Sequence, residues 1–314
     1  MRAPLVPCLI VLLTSPLVWA SVTPPGQLAP TVTPAVSRAI PPIPPAPSPA
    51  SRVDAFPARP ADALTGSAFA AHVAHLSESE RYAATHDQVV AGNVPDFLRA
   101  LVPIALERPA GVQAGPHEVT VFVTPDYLSV GTNEDHLTLP LDFVSAAAVA
   151  RDLGFALPTT RIVDAIYTEA ALRLDPIPLP AGPQMRSMAY ILEHGIRVEA
   201  ERAGRAPGAL VAGNQKDLVL TGRLRDMPDR EAIYGWHRQD GRPIQPLSLV
   251  HGMHYADYSH GIRLVADTVL VDGAPRAYLA ALADPEVAPW LSREGPIPDA
   301  AALMQPRDTR AAVR

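Results

Sequence analysis

Proline limits what this chain can fold into more than any other residue. There are 36 prolines in 314 residues, and residues 21–60 (SVTPPGQLAPTVTPAVSRAIPPIPPAPSPASRVDAFPARP) carry one every few positions with few large apolar side chains. Each proline fixes φ and removes a backbone donor, which closes helix and sheet to such a run. An extended, polyproline-II-like linker is expected over 21–60. Ahead of it, MRAPLVPCLIVLLTSPLVWAS holds one positive residue, Arg2, an apolar run from Leu5 to Trp19 and a small residue at Ala20. That is the layout of a signal peptide over 1–20, cleaved after Ala20. The run is short and broken by Pro7 and Pro16, so no membrane span is expected after cleavage. The destination is secreted or periplasmic.

The rest, roughly 250 residues, is enough for one large core. We expect a single domain over 61–290 and a loose C-terminal tail over 291–314. Cleavage removes Cys8, the only cysteine, and with it every disulfide and every thiol nucleophile. The net charge is −6. No basic field is present to attract a phosphate backbone, and no nucleic-acid partner is expected.

Local signals divide the domain. Ser77 followed by Glu80 is a capping box ahead of RYAATHDQVVAG, and DFLRALVPIAL after Pro95 reads as a second short helix. His72 and His75, near the first of these, belong to a solvated face. Asp142 opens FVSAAAVARDLG, and Thr159 or Thr160 opens a helix with Ile162, Val163, Ile166 and Tyr167 at helical spacing. Met185, Met188, Ala189 and Leu192 mark one more, with these residues in the core. Within this half HEVTVFVTPDYLSVG alternates at Val119, Val121 and Val123 as a strand does. After Gly204 the pattern is β: two pieces about Gly213-Asn214, a hairpin turning at Asp240-Gly241, and two strands over 260–273. Segregated elements predict an α+β fold, an N-terminal helical half packed on a C-terminal antiparallel sheet.

Chemistry concentrates in IYGWHRQDGRPIQPLSLVHGMHYADYSHGIRLV (233–265), which holds four of the ten histidines. His251, His254, Asp257 and His260 recur at every third position, and such N and O ligands suit zinc with one place left for water. A straight strand sends them to opposite faces, so the set needs a bend at Gly252 or Gly261. A metal-free site draws on the same stretch. Asp257 would orient a histidine base (His237, His251 or His260), Ser259 or water would attack, and Arg263 or Lys216 would stabilise the anion. The same groups are also what a hydrogen-bonded sheet edge uses to satisfy itself.

Ser259-His260-Gly261-Ile262-Arg263 resembles the catalytic string of the L,D-transpeptidases, secreted enzymes that cross-link peptidoglycan stem peptides. That family has cysteine where Ile262 stands, and histidine where Tyr234 stands in Ile233-Tyr234-Gly235. The resemblance implies a β-rich fold that handles cell-wall peptide without thiol chemistry. GNVPDFLRAL, VTPDYLSVG, AIYGWHRQDGRPIQPLS and DYSHGIRLV are similar to a family of secreted bacterial proteins of unassigned function, which implies one domain over the whole length.

Two functions follow as expectations. One is a secreted hydrolase acting on a cell-envelope or extracellular polymer, peptide or glycan, through a His/Asp-centred site. The other is a non-catalytic wall- or glycan-binding protein, a degenerate relative of a wall enzyme. Amino-terminal sequencing of the exported protein is expected to begin at Ser21, and a start at Met1 would mean that the segment is retained.

Overall fold

Side-chain caps set the helices of the first half. The computed structural model describes residues 56–205 and 207–306, so the signal peptide, linker residues 21–55 and tail residues 307–314 lie outside the described residues. Thr65 caps α1 (Gly66–Val73), and Ser77 with Glu80 closes the expected capping box on α2 (Glu78–Val90). Next come β1 (Val102–Ala105), β2 (Val119–Val123), β3 (Ser129–Gly131) and β4 (His136–Thr138). Asp142 caps α3 (Phe143–Asp152), β5 (Phe155–Ala156) follows, and Thr159 caps α4 (Thr160–Glu169). Each cap satisfies a backbone N–H that the helix end would leave unpaired.

The chain continues through β6 (Leu172–Arg173), α5 (Met188–Arg202), β7 (Val211–Ala212), β8 (Lys216–Leu218), β9 (Ile233–His237) and β10 (Pro243–Ser248). It closes with β11 (His260–Gly261), β12 (Val265–Ala266), β13 (Thr268–Val271), β14 (Ala274–Ala277) and the short helices α6 (Tyr278–Ala283), α7 (Ala288–Leu291) and α8 (Ala300–Leu303).

The fold is α+β, as expected. The larger sheet has the order β14-β13-β2-β12-β5, with β1 also paired to β2, and every pairing is antiparallel. The alternating Val119, Val121 and Val123 of β2 all point into the core and are buried. Each contributes about 1.5–3 kcal/mol by leaving water. The second sheet, β10-β9-β8-β11, is antiparallel except that β11 runs parallel to β8, opposing His260 to Lys216 and Gly261 to Asp217. Among the described residues no helix is long and apolar enough to cross a membrane.

Four local expectations need correcting. DFLRALVPIAL is one 3-10 turn, Asp96–Arg99, followed by β1, because Pro103 cannot continue a helix and Ile104 pairs with Val121. The linker gives way to the domain before residue 61, since Phe56 is buried with its ring 5.3 Å from that of Phe155. The expected loose tail is packed through Leu291, Ile297, Ala300 and Met304, all buried. Ala189 and Leu192 of α5, expected in the core, are exposed, Leu192 by 37%.

Gly261 marks where the second sheet is tightest. A Cβ there would stand 2.5 Å from Cδ1 of Tyr127 and 2.7 Å from Cβ of Gln215. Gly261→Ala is expected to lower the unfolding free energy by about 2 kcal/mol through overpacking. Urea unfolding measures it, and an unchanged midpoint would show that the Tyr127 ring moves aside without cost.

Candidate functional site

The stretch from Tyr255 to His260 is a turn built around its own carboxylate. Asp257 Oδ1 accepts from the Ser259 amide at 2.9 Å and from the Ser259 hydroxyl, and Oδ2 accepts from the Tyr255 hydroxyl at 3.0 Å. Aspartate favours such local bonds, which fix a turn more tightly than the backbone alone. The His260 amide closes it on the Asp257 carbonyl at 3.0 Å. The bend expected from the glycines is thus made by Asp257, and the chain leaves it directly into β11.

His260 sits between two carboxylates. Nδ1 lies 3.2 Å from Asp257 Oδ1, and Nε2 lies 3.0 Å from Glu231 Oε1. Glu231 reaches this position because residues 229–231 pair with 251–253: the Met253 amide donates to the Asp229 carbonyl at 2.8 Å and the Glu231 amide to the His251 carbonyl at 3.2 Å. All three side chains are almost fully buried. Burial pulls the His260 imidazole down, but the Glu231 charge and the bonds to both carboxylates outweigh it and lift the ring to about 9. Burial raises Asp257 as well, yet the bond and charge from His260 hold it far below the usual carboxylate range. Glu231 stays raised, because there burial exceeds the pull of His260. The Asp257 amide nitrogen also lies 3.1 Å from Nδ1, a contact that suits a neutral ring. Two flanking carboxylates decide for the charged ring, with both N–H groups donating. An imidazolium held in this way has no lone pair for a general base.

The remaining expected residues go to different places. Ser259 is buried with its hydroxyl on Asp257, and no imidazole is hydrogen-bonded to it. His251 is half-buried, stacked on Tyr255 with ring centroids 4.0 Å apart, and 6.5 Å from the His260 ring. Burial and the His260 charge keep it neutral. The ammonium of Lys216 lies 4.8 Å above the Trp236 ring, and its charge reaches both Asp257 and His251. His254 pairs through Nδ1 with Asp142 at 3.2 Å, beside an open cleft shared with Arg81 and Arg186.

His237 belongs to another cluster. Its ring stacks on Tyr167 at 4.5 Å, and Nε2 lies 2.9 Å from Asp164 Oδ1. Asp164 also accepts from Tyr234 and Arg293. Burial raises this carboxyl, and the bond from His237 with the Arg293 charge outweighs it. Arg263 is fully buried and donates to the carbonyls of Thr124 and Val211 at 2.9 and 2.6 Å, with its guanidinium 4.2 Å from the Tyr127 ring centroid. It braces the fold and has no open side towards an anion. Tyr127 in turn donates to Asp217, whose carboxyl burial pushes up to about 6.

The set expected for zinc, His251, His254, Asp257 and His260, is therefore not gathered. Among the described residues no three His, Cys, Asp or Glu side chains are grouped to hold a metal ion. His251, Asp257, Ser259 and His260 do come together, with Lys216 nearby, while His237, His254 and Arg263 stand apart.

Sequence reasoning missed the opening itself. A cavity of about 310 Å³ lies between α5, β4, the turn Gly213–Gln215 and the Tyr258–His260 segment. Residues that line it also hold polar atoms buried without a hydrogen-bond partner, His136 Nδ1, His194 Nε2, Asn214 Oδ1 and Gln215 Oε1, which have almost no surface open to the cavity. Burial lowers His194 to about 4, so it is neutral at physiological pH. The turn is held by Trp236, an unusual non-glycine residue at φ 57, whose amide and indole N–H each donate at 3.1 Å to the Gln215 and Asn214 carbonyls. Gly213 supplies the approach, since a Cβ there would meet the Leu174 carbonyl oxygen at 2.2 Å. Only the Gly213-Asn214 turn signal pointed here.

Comparison with known proteins found no matching family model, no matching curated protein and no matching solved structure. The functional reading rests on the site.

The His260 pairing makes stability depend on pH. The ring titrates at its ordinary 6.5 when unfolded and at about 9 when folded, so folding takes up a proton between those values. The pairing stabilises fully below 6.5 and its contribution is lost as pH rises through about 9. Urea midpoints measured across that window are expected to fall in the parent and to fall less in His260→Gln. Parallel profiles would contradict the charged ring.

Proposed function

We propose that this chain is an exported, non-catalytic binding protein of the cell envelope or extracellular space, and that its ligand enters the cavity beneath α5. One observation carries the reading: a cavity of about 310 Å³ is lined by apolar side chains with a few polar ones among them, His136, His194, Asn214, Gln215 and Tyr258. A concave site with a mainly apolar wall and a few polar groups is where a small ligand or one unit of a polymer binds. Export is the reading of the N-terminal segment. The polymer-binding half of the reading agrees with the resemblance of Ser259-His260-Gly261 to a wall-enzyme string whose cysteine position is Ile262, here a buried core residue.

The hydrolase reading retains one supporting observation. His251 is neutral and half-buried beside the Lys216 charge, which leaves it a lone pair for base chemistry. His260, with both ring nitrogens donating, and Ser259, bonded to Asp257, do not offer a base–nucleophile pair.

Incubation with purified insoluble peptidoglycan separates the two. The protein is expected in the pellet, with no stem peptide or sugar released into the supernatant, and His251→Ala is expected to sediment equally. Soluble fragments that disappear in His251→Ala would restore the hydrolase. A protein that stays wholly in solution would contradict wall binding.

A further inference from the structure

We infer that the outer face of α5 pairs with the same face of a second copy of this chain, antiparallel and across a two-fold axis. The inference goes beyond the binding reading above and does not depend on it. The buried residues of α5 are Met188, Ile191, His194, Val198 and Arg202. Ala189, Leu192, Ile196 and Ala200 are exposed, and their spacings of three and four place them together on another face of the helix. Leu192 and Ile196 are two of only four large apolar side chains that stand exposed among the described residues, by 37% and 71%. Single exposed apolar residues are ordinary on a protein surface. Two of them one turn apart, with an alanine beyond each, make a continuous stripe of the kind along which helices pack.

The order of the residues selects a second copy as the occupant. Along the helix the stripe reads small, large, large, small, so it is close to a palindrome about the His194–Gly195 step. A face that meets itself across a two-fold axis has to be self-complementary. Antiparallel pairing about that step sets Leu192 against the partner's Ile196 and Ala189 against the partner's Ala200. Charge has the same symmetry. Glu193 and Arg197 stand exposed on one flank of the stripe, bonded to each other along the helix at 2.5 Å. In the antiparallel pair each Glu193 also lies across from the partner's Arg197, and two further ion pairs close that side of the seam. A parallel pair would instead set Glu193 against the partner's Glu193, like against like.

Size sets the strength. One face of a 15-residue helix buries less than the roughly 1,200 Å² at which stable complexes begin. The pair is therefore weak and depends on concentration, with dissociation in the micromolar to millimolar range. Leu192 and Ile196 also line the cavity, so pairing places the two cavities beside one seam. Chains gathered on an insoluble polymer meet at high local concentration, which favours a contact of this strength.

The test is sedimentation velocity of the full exported chain at rising concentration, up to roughly 1 mM. The mass is expected to move from one chain towards two. Ile196→Ser, at an exposed position, is expected to weaken association by roughly tenfold or more while leaving the unfolding midpoint unchanged. Glu193→Arg and Arg197→Glu each put like charges on the flank, and each alone is expected to stay monomeric. An equimolar mixture of these two variants is expected to associate, because one then carries only positive and the other only negative charge at the seam. Mixing does not mend a damaged helix, so recovery on mixing reads the contact between copies. A parent that remains a single chain at roughly 1 mM overturns the pairing. So does Ile196→Ser that associates as the parent does, or a mixture no more associated than its components. Each of these results leaves the wall-binding reading standing, since sedimentation with peptidoglycan tests that separately.

Discussion

The buried charge on His260 is the constraint on which the second half of this structure depends. One imidazolium joins the carboxylate of its own turn, Asp257, to that of a distant segment, Glu231, and so fixes the 229–231 strip against the 251–260 loop. Neither carboxylate is exposed. Removing one partner from such a set leaves an uncompensated charge, typically a loss of about 3–5 kcal/mol. The same ring forms part of the cavity wall, between Tyr258 and the Asn214–Gln215 turn. The pairing is thus both a clasp between segments and the back of the proposed binding site.

Placement of the clasp explains why the Ser-His-Gly string reads as chemistry in sequence and as architecture in space. Ser259 bonds Asp257, His260 is the clasp, Gly261 admits Tyr127 and Gln215 at close range, and Ile262 packs in the core. Arg263 carries a full charge into the interior and is answered by two carbonyls and an aromatic face. Every position of the string has a task in the fold that needs no substrate. Within the string Arg263 Nε alone is buried without a partner, and the cavity is lined mainly by residues that no motif marks.

Legibility followed the distance over which each feature is determined. Caps at Ser77, Asp142 and Thr159, and the alternation at Val119, Val121 and Val123, are settled within a few residues, and all of them form as read. The DFLRALVPIAL segment misleads because its apolar residues answer to β2, a strand that lies further along the chain. Of the site, the grouping of Asp257, Ser259 and His260 was visible because one turn makes it, and His251 joins it by stacking on Tyr255. Glu231, Asp164 and Arg293 were not, because each meets its histidine or carboxylate through tertiary pairing. The cavity was hidden for the same reason, since His136, His194, Asn214 and Gln215 come from three separate segments. A dense run of titratable residues in sequence signals a hydrogen-bonded network. Access to it is a property of the packing.

The most direct test of the clasp is the protonation state of His260 itself. In protein labelled with nitrogen-15 at histidine, both ring nitrogens of His260 are expected to give N–H signals at pH 7.5, and to keep them until the pH approaches 9. A ring at pH 7.5 with one bare nitrogen would contradict the charged pairing, and with it the argument that His260 is unavailable as a base.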